Sequence, residues 1–171
     1  SEKVIVGPSE SMSKSKKNTI DPEKMITQYG ADAVRLFILS DSPPEKDIQW
    51  SETGMTSAYK FIQKFCFLSE EIINLSDKKT DKLPNEEIEI FTNQAIDRIN
   101  TALEKFRYNV IIAVFHEIFN FYNKILSKKK NYINLKENFK KILIIMSPVI
   151  PHLSNECLDK ISSQNLYKWP L

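Results

Sequence analysis

Apolar side chains recur every three or four residues between positions 55 and 161, and this spacing constrains the fold more than any other feature of the chain. A repeat near 3.6 residues places such side chains on one face of an α-helix and leaves polar residues on the other. Prolines and short polar stretches interrupt the repeat, so the pattern predicts five amphipathic helices. Helices of this kind bury their apolar faces against each other in an antiparallel helical bundle. The five stripes begin at Met55, Ile88, Ile111, Leu135 and Leu153.

The second stripe illustrates how the pattern predicts core positions. We expect the phenylalanines on such stripes to lie inside the bundle, Phe91 and Phe115 among them. Few aromatic rings should then remain exposed for stacking on nucleic-acid bases. The apolar members of the second stripe are Ile88, Phe91, Ala95, Ile99, Leu103 and Phe106.

Composition supports a mainly α protein with a sizeable core. Of 171 residues, 42% are hydrophobic and only 3 are glycine, and the net charge is +2. The near-neutral net charge disfavours a uniformly basic nucleic-acid-binding protein but allows local basic faces. No apolar run is long enough to cross a bilayer, and no leader sequence is evident, so we expect a cytoplasmic protein. The isolated Cys66 and Cys157, with only 2 histidines in the chain, predict reduced thiols and no metal site.

The first fifty residues differ from the bundle. A short apolar run at residues 3–6 predicts a strand without visible partners. Asp21 should cap a helix over residues 22–29, and a second helix should follow over residues 31–39. We therefore predict two parts. Residues 1–50 would be a strand-loop-helix portion of a larger domain, cut from a longer polypeptide, and residues 51–171 would be the helical bundle.

A basic loop lies between the predicted strand and the first helix. Residues 11–19 read Ser-Met-Ser-Lys-Ser-Lys-Lys-Asn-Thr, with Lys14, Lys16 and Lys17 close together among hydroxyl side chains. Such lysines do not pack into a core, and flexible ammonium groups can close over a polyphosphate. The alternative is a solvated basic loop without a ligand.

Three ordered sequence blocks resemble a known family. They are SMSKS at residues 11–15, YGADAVR at residues 29–35 and SPPEKDIQWS at residues 42–51. The first two are similar to the KMSKS loop of class I aminoacyl-tRNA synthetases and to the helix that follows it. The third resembles a segment of the leucine-specific enzymes of bacterial type. Further along, residues 109–125 and residues 147–153 resemble the anticodon-binding domain of this class, which often closes on Trp-Pro as at Trp169 and Pro170.

The resemblance implies roles for the loop in binding ATP and pyrophosphate. Lys14 would contact the pyrophosphate and act as the catalytic cation. Ser13 and Ser15 would offer hydroxyl and backbone groups to the phosphates, and Met12 would lie near the adenine. Ser11 stands where the family usually has its first lysine, so one cation is missing from the ATP-binding set of residues 11–15.

One further departure concerns the end of the loop. Lys17 stands where the family usually has glycine, and either Lys16 or Lys17 could compensate in part for the lysine missing at Ser11. We expect Asn18 to cap the following turn through its side-chain oxygen.

The resemblance also implies a surface that binds tRNA. Lys60 and Lys64 lie four residues apart, so they share one helix face that is offset from the predicted core stripe. Contacts from such lysines to the RNA backbone would be sensitive to salt and blind to sequence. The alternative is a solvated face. Weaker candidates for the RNA surface are Lys105, Arg107, Lys128, Lys129 and Lys130.

Other polar residues in the matching blocks suggest structural roles. We expect Arg35 to pair with an acidic neighbour and to hold the junction between the two parts of the chain, although a phosphate or tRNA contact is a second possibility. Asp32 and Asp47 should be helix caps or surface charges, because neither has a paired carboxylate. His152 should start a helix or pack in the core rather than act in catalysis.

The resemblance as a whole implies part of an enzyme that activates leucine with ATP and Mg²⁺ and transfers it to tRNA(Leu). The isolated 171 residues should be inactive, because the amino-acid pocket and the other half of the ATP site are not among them. Alternatives are a fragment of an isoleucine, valine or methionine enzyme, or a non-catalytic helical RNA-binding module.

Overall fold

The computed structural model describes residues 10–40, 45–75, 82–83 and 85–161. The strand predicted at residues 3–6 and the pair Trp169 and Pro170 lie outside the described residues. The described elements, in chain order, are α1 (Pro22–Tyr29), α2 (Ala31–Ser40), α3 (Glu52–Ile73), β1 (Lys82–Leu83), α4 (Glu86–Glu104), α5 (Tyr108–Ser127), β2 (Asn131–Tyr132), α6 (Leu135–Met146) and α7 (Pro151–Ile161).

Helix starts follow the capping residues in the sequence. Asp21 accepts a hydrogen bond from the Glu23 amide at 3.0 Å, as predicted for α1. Ser51 does the same for α3, accepting from the Gly54 amide at 3.1 Å. Gly30 ends α1 with φ of +82°, a backbone conformation that favours glycine. The turn between α1 and α2 therefore depends on this residue.

The core of the molecule is a bundle of α3 to α7 with α2 packed against it. Fully buried aromatic rings from three helices fill its centre, and the fold class predicted from apolar spacing is confirmed. Two-residue strands β1 and β2 pair in parallel and bridge the α3–α4 and α5–α6 connections. The central rings belong to Phe65, Phe115, Tyr122 and Phe139.

Two phenylalanines of the second stripe are less buried than predicted. Phe91 is only partly buried and stacks on Phe121, with ring centroids 3.9 Å apart. Phe106 is 62% exposed, so its prediction as a core residue is wrong. The reason is that α4 ends at Glu104, and Phe106 has φ of +51°, which turns it away from the stripe. The apolar repeat does not reveal where the helix stops.

Two side chains of α2 fasten it to the start of α7. Arg35 donates from its guanidinium to the carbonyls of Val149 at 3.0 Å and Pro148 at 2.6 Å. Asp32 is buried and accepts from the amide of Leu153 at 2.8 Å and from the amide and Nδ1 of His152 at 3.3 and 2.9 Å. Asp32 thus caps the N-terminus of α7. The positive end of the α7 dipole lies there and favours a carboxylate.

These contacts settle three of the structural expectations. Arg35 holds a junction as predicted, but its partners are backbone carbonyls and not an acidic neighbour. Asp32 is a cap as predicted, although for a helix distant in sequence. His152 lies in the first turn of α7 with its side chain 74% exposed, so it starts a helix and is not a core residue.

Candidate phosphate loop and nucleic-acid surface

The basic loop forms a compact turn between residue 10 and α1. The amide of Lys16 donates to the Ser13 carbonyl and the amide of Lys17 donates to the Lys14 carbonyl, both at 3.2 Å. Lys17 has φ of +54°, a left-handed conformation that favours glycine. The family's usual glycine at this position is therefore replaced by a residue that still adopts the glycine-like backbone.

Asn18 closes the loop from its far end. Its Oδ1 accepts from the Ser13 amide at 2.8 Å, and its Nδ2 donates to the Ser11 carbonyl at 3.3 Å. Both partners precede Asn18, so the prediction that it caps the following turn is wrong. The amide side chain, with donor and acceptor on one group, can bridge two backbone groups of the same loop.

The three lysines of the loop differ in their partners. Lys16 Nζ lies 2.9 Å from Glu10 Oε2, so its charge is already paired. Lys14 and Lys17 are exposed, and neither forms an ion pair among the residues that the structure describes. Ser13 Oγ and Ser15 Oγ, from the two residues that flank Lys14 in sequence, lie 3.1 Å apart. An exposed lysine flanked in sequence by two hydroxyl side chains is a suitable combination for an incoming anion.

Met12 connects the loop to the segment between α2 and α3. It is 48% exposed and borders two clefts, each of which also contacts Ile48 and Trp50. The first cleft, of about 530 Å³, is lined by Glu10, Ser11, Met12, Asn18, Asp47, Ile48, Gln49 and Trp50. The second, of about 330 Å³, is mostly apolar and lined by Met12, Ile20, Pro22, Met25, Val34, Phe37, Ile38, Ile48 and Trp50.

Sequence reasoning did not bring these segments together. The resemblance at residues 42–51 suggests no role for this segment. In the structure, residues 47–50 line the same cleft as the basic loop. Trp50 is fixed there by an edge-to-face contact with Phe37 of α2, with centroids 5.3 Å apart. Asp47 lines the cleft as a surface charge. The sequence signal that could have predicted this packing is Trp50 itself, a large aromatic residue soon after the Pro43–Pro44 pair, which predicts the end of a helix.

A second candidate surface is the outer face of α3. Lys60 and Lys64 are both exposed, as predicted, and neither forms an ion pair among the described residues. Phe67 follows at helical spacing and is 69% exposed. Glu71 is the carboxylate that shares this face. The expectation that exposed aromatic rings would be lacking is therefore wrong here, because Phe67 lies off the Phe61 and Phe65 stripe.

The weaker basic candidates occupy two turns at opposite ends of α5. Lys128 Nζ lies 3.1 Å from Glu87 Oε2, so one charge of the 128–130 cluster is paired. Lys105 and Arg107 are exposed on either side of Phe106 in the α4–α5 turn.

Comparison with known protein families shows to which family the chain belongs. Residues 85–171 match the family described as the anticodon-binding domain of tRNA ligase, and residues 4–51 match class I tRNA synthetases of the I, L, M and V group. The chain belongs to the class I tRNA ligases. Both matched segments fall in the order predicted from the sequence blocks.

Curated relatives of this class I tRNA ligase chain match more than nine-tenths of it. A leucine--tRNA ligase of Rickettsia bellii is 40% identical over 159 residues, covering 92% of this chain and 19% of the relative. One of Orientia tsutsugamushi is 39% identical over 163 residues, covering 94% of this chain and 19% of the relative. The chain thus spans about a fifth of the length of these relatives.

A solved structure shows the same fold. It is the LeuRS of Agrobacterium radiobacter K84 agnB2 in a ternary complex with tRNA and LeuAMS. It matches with a TM-score of 0.75 and 24% identity, covering 91% of this chain and 21% of that one.

Two other kinds of feature, a membrane-spanning helix and a metal site, are absent from the described part of the chain. None of its helices combines the length and apolarity needed to cross a membrane. Across residues 10–40, 45–75, 82–83 and 85–161, no group of three or more His, Cys, Asp or Glu side chains is placed to hold a metal ion. Cys157 is buried, which raises the pKa of its thiol.

Proposed function

We propose that the chain is the signature-loop and tRNA-binding part of a leucine--tRNA ligase. The whole enzyme would activate leucine with ATP and transfer it to tRNA(Leu). The observation that carries this proposal is the extent of the similarity: eight relatives at 34–40% identity, each matching 92–98% of the chain, are all leucine--tRNA ligases.

Residues 11–15 would act on the phosphates of ATP during leucine activation. That reaction breaks ATP between its α and β phosphates, so negative charge grows on the departing pyrophosphate. A cation that gains contact as this charge develops lowers the barrier. Lys14 fits this task because it is exposed, forms no ion pair among the described residues, and is flanked in sequence by the hydroxyl side chains of Ser13 and Ser15. Mg²⁺ would arrive with ATP as part of the substrate.

Other residues in and around the loop would hold its shape or border the ATP site. Asn18 ties the two ends of the turn together and so limits the conformations of the Ser13 amide. Lys16 is held by Glu10 and would supply charge only if that ion pair opened. Met12, at the border of the apolar cleft, would lie on the adenine side. We thus propose Lys14 as the catalytic cation and residues 11–15 as the ATP contact.

We further propose that residues 1–50 belong to the catalytic domain and residues 51–171 to the tRNA-binding domain. Lys60 and Lys64 would contact the RNA backbone from the outer face of α3, where they are exposed and without an ion pair among the described residues. Backbone contacts of this type add affinity without reading sequence. The identity of the tRNA would then be read elsewhere in the enzyme.

Amino-acid-dependent exchange of pyrophosphate into ATP by the full-length protein tests this function. We expect exchange with leucine and little exchange with isoleucine, valine or methionine. Exchange that prefers one of those three would assign the chain to another enzyme of the class. No exchange with any amino acid, from a folded full-length protein, would favour a non-catalytic RNA-binding role.

A further inference from the structure

The turn between α4 and α5 alternates cationic and aromatic side chains. Residues 105–108 are Lys, Phe, Arg and Tyr, and the first three are exposed. The Phe106 ring is 62% exposed, and its edge contact with Tyr108, at a centroid distance of 6.4 Å, is its one aromatic contact among the described residues. One face of the Phe106 ring is therefore available for stacking.

The backbone holds Phe106 in a conformation that a residue with a Cβ rarely adopts. The Phe106 amide donates to the Leu103 carbonyl at 3.0 Å, and the Arg107 amide donates to the Ala102 carbonyl at 2.8 Å. This pattern ends helices with a left-handed residue, most often glycine, and Phe106 occupies that place with φ of +51°. Folding alone would favour glycine here, so the exposed ring suggests a function beyond folding.

The charges around the turn favour contact with a few nucleotides rather than with a long duplex. Lys105 and Arg107 flank the ring, while Asp97 lines the adjacent groove. Arg98 in the same groove is already held by Glu117 through two hydrogen bonds. Glu104 is a further exposed carboxylate next to Lys105. A duplex backbone would gain little from so balanced a surface, whereas a single stacked base with one or two phosphates would gain from the ring and its two neighbours.

We propose that Phe106 stacks on an unpaired base of the bound tRNA and that Lys105 and Arg107 contact the phosphates on either side of it. Unpaired bases in RNA loops are recognised by this combination of an aromatic ring and flanking cations. The inference rests on the proposed function, because it requires tRNA as the ligand. It adds a second contact region, at the α4–α5 turn, to the lysine face of α3.

Binding of a tRNA(Leu) transcript to full-length Phe106→Leu and Phe106→Trp variants tests the inference. The leucine variant keeps an apolar side chain but loses the ring, and we expect about 5- to 150-fold weaker binding, as for loss of one stacked base. The tryptophan variant keeps a ring and should bind within about threefold of the parent, since stacking tolerates any aromatic surface. Ile90→Ala is the matched control: Ile90 is 56% exposed on the acidic first turns of α4 and should leave binding unchanged.

Salt dependence separates the ring from its neighbours. Phe106→Leu should leave the slope of log affinity against log salt unchanged, because the ring displaces no counterion, whereas Arg107→Gln should reduce it by about one unit. Equal binding by parent and Phe106→Leu, while Lys60 and Lys64 variants still weaken binding, would overturn this inference and leave the proposed function intact. Lower melting temperature of Phe106→Leu with unchanged tRNA binding would instead make the ring a contact to another part of the ligase. Absence of tRNA binding by the parent would overturn both.

Discussion

Lys14 and Lys17 belong to the same loop but should differ in their effect on catalysis. In the full-length enzyme, Lys14→Ala should reduce the rate of leucyl-adenylate formation by about 30- to 1000-fold, which corresponds to about 2–4 kcal/mol for a contact made mainly in the transition state. Leucine binding should change little. Single-turnover adenylation, with leucine affinity measured separately, distinguishes the two effects.

Lys17→Ala serves as the matched comparison for Lys14→Ala. Lys17 is also exposed, but it lies at the end of the turn, where its backbone and not its charge closes the loop. Lys17→Ala should therefore reduce the rate of leucyl-adenylate formation much less than Lys14→Ala. Equal losses from the two substitutions would mean that the loop supplies diffuse positive charge and no single leaving-group cation.

At the scale of helices, Phe115 and Phe91 test how burial sets stability. Phe115 of α5 is fully buried, so Phe115→Ala should reduce the free energy of unfolding by about 3–5 kcal/mol. Phe91 of α4 is only partly buried and stacks on Phe121, so Phe91→Ala should cost clearly less. Urea unfolding of both variants supplies the comparison, and a larger loss from Phe91→Ala would contradict this account of the core.

The outer face of α3 gives a prediction about RNA. Replacing both Lys60 and Lys64 by alanine in the full-length enzyme should weaken tRNA binding for cognate and non-cognate species alike. The slope of log affinity against log salt should fall by roughly one to two units, as expected for one or two lost phosphate contacts. Binding titrations at several salt concentrations measure this slope.

Lys160→Ala is the control for the α3 lysines. Lys160 is an exposed lysine of α7 whose Nζ lies 3.0 Å from Glu156 Oε1, so its charge is largely satisfied within the protein. Its removal should leave the salt slope unchanged. If the Lys60 and Lys64 variant also kept the parental slope, the RNA surface would lie elsewhere, with Lys105 and Arg107 as the next candidates.

For the whole molecule, activity should require more than these 171 residues. The relatives are about five times as long, and the chain aligns with about a fifth of each. The 171-residue polypeptide alone should therefore not catalyse leucine-dependent exchange of pyrophosphate into ATP. A purified sample with exchange above a protein-free blank would show that the segment contains a complete activation site.

Local patterns predicted the helices well because apolar spacing and capping residues act over a few positions. Asp21 and the buried rings of α3 and α5 followed from such patterns. Phe106 did not, since the end of α4 depends on a left-handed backbone that apolar spacing does not encode. Scarcity of glycine, at 3 in the chain, removed the usual marker of that ending.

Contacts between distant parts of the chain were harder to predict than helices. From the sequence, an acidic side chain is the obvious partner for Arg35, because opposite charges attract. In the structure Arg35 instead donates to backbone carbonyls at the α6–α7 turn. The cleft beneath Met12 likewise depends on how residues 47–50 return to the loop. Such pairings follow from the tertiary fold, which short sequence patterns do not specify.

The hydrogen bonds of Asp32 and Arg35 also bear on how the protein is made. Their partners lie 113 to 121 residues later in the chain. Closing so long a segment is entropically unfavourable until the intervening helices have packed. During synthesis on the ribosome, α2 therefore cannot reach its final anchorage until Leu153 has emerged. Until then α2 has no more than its packing on α1, α3 and α5, and its hydrogen bonds to the start of α7 are added last.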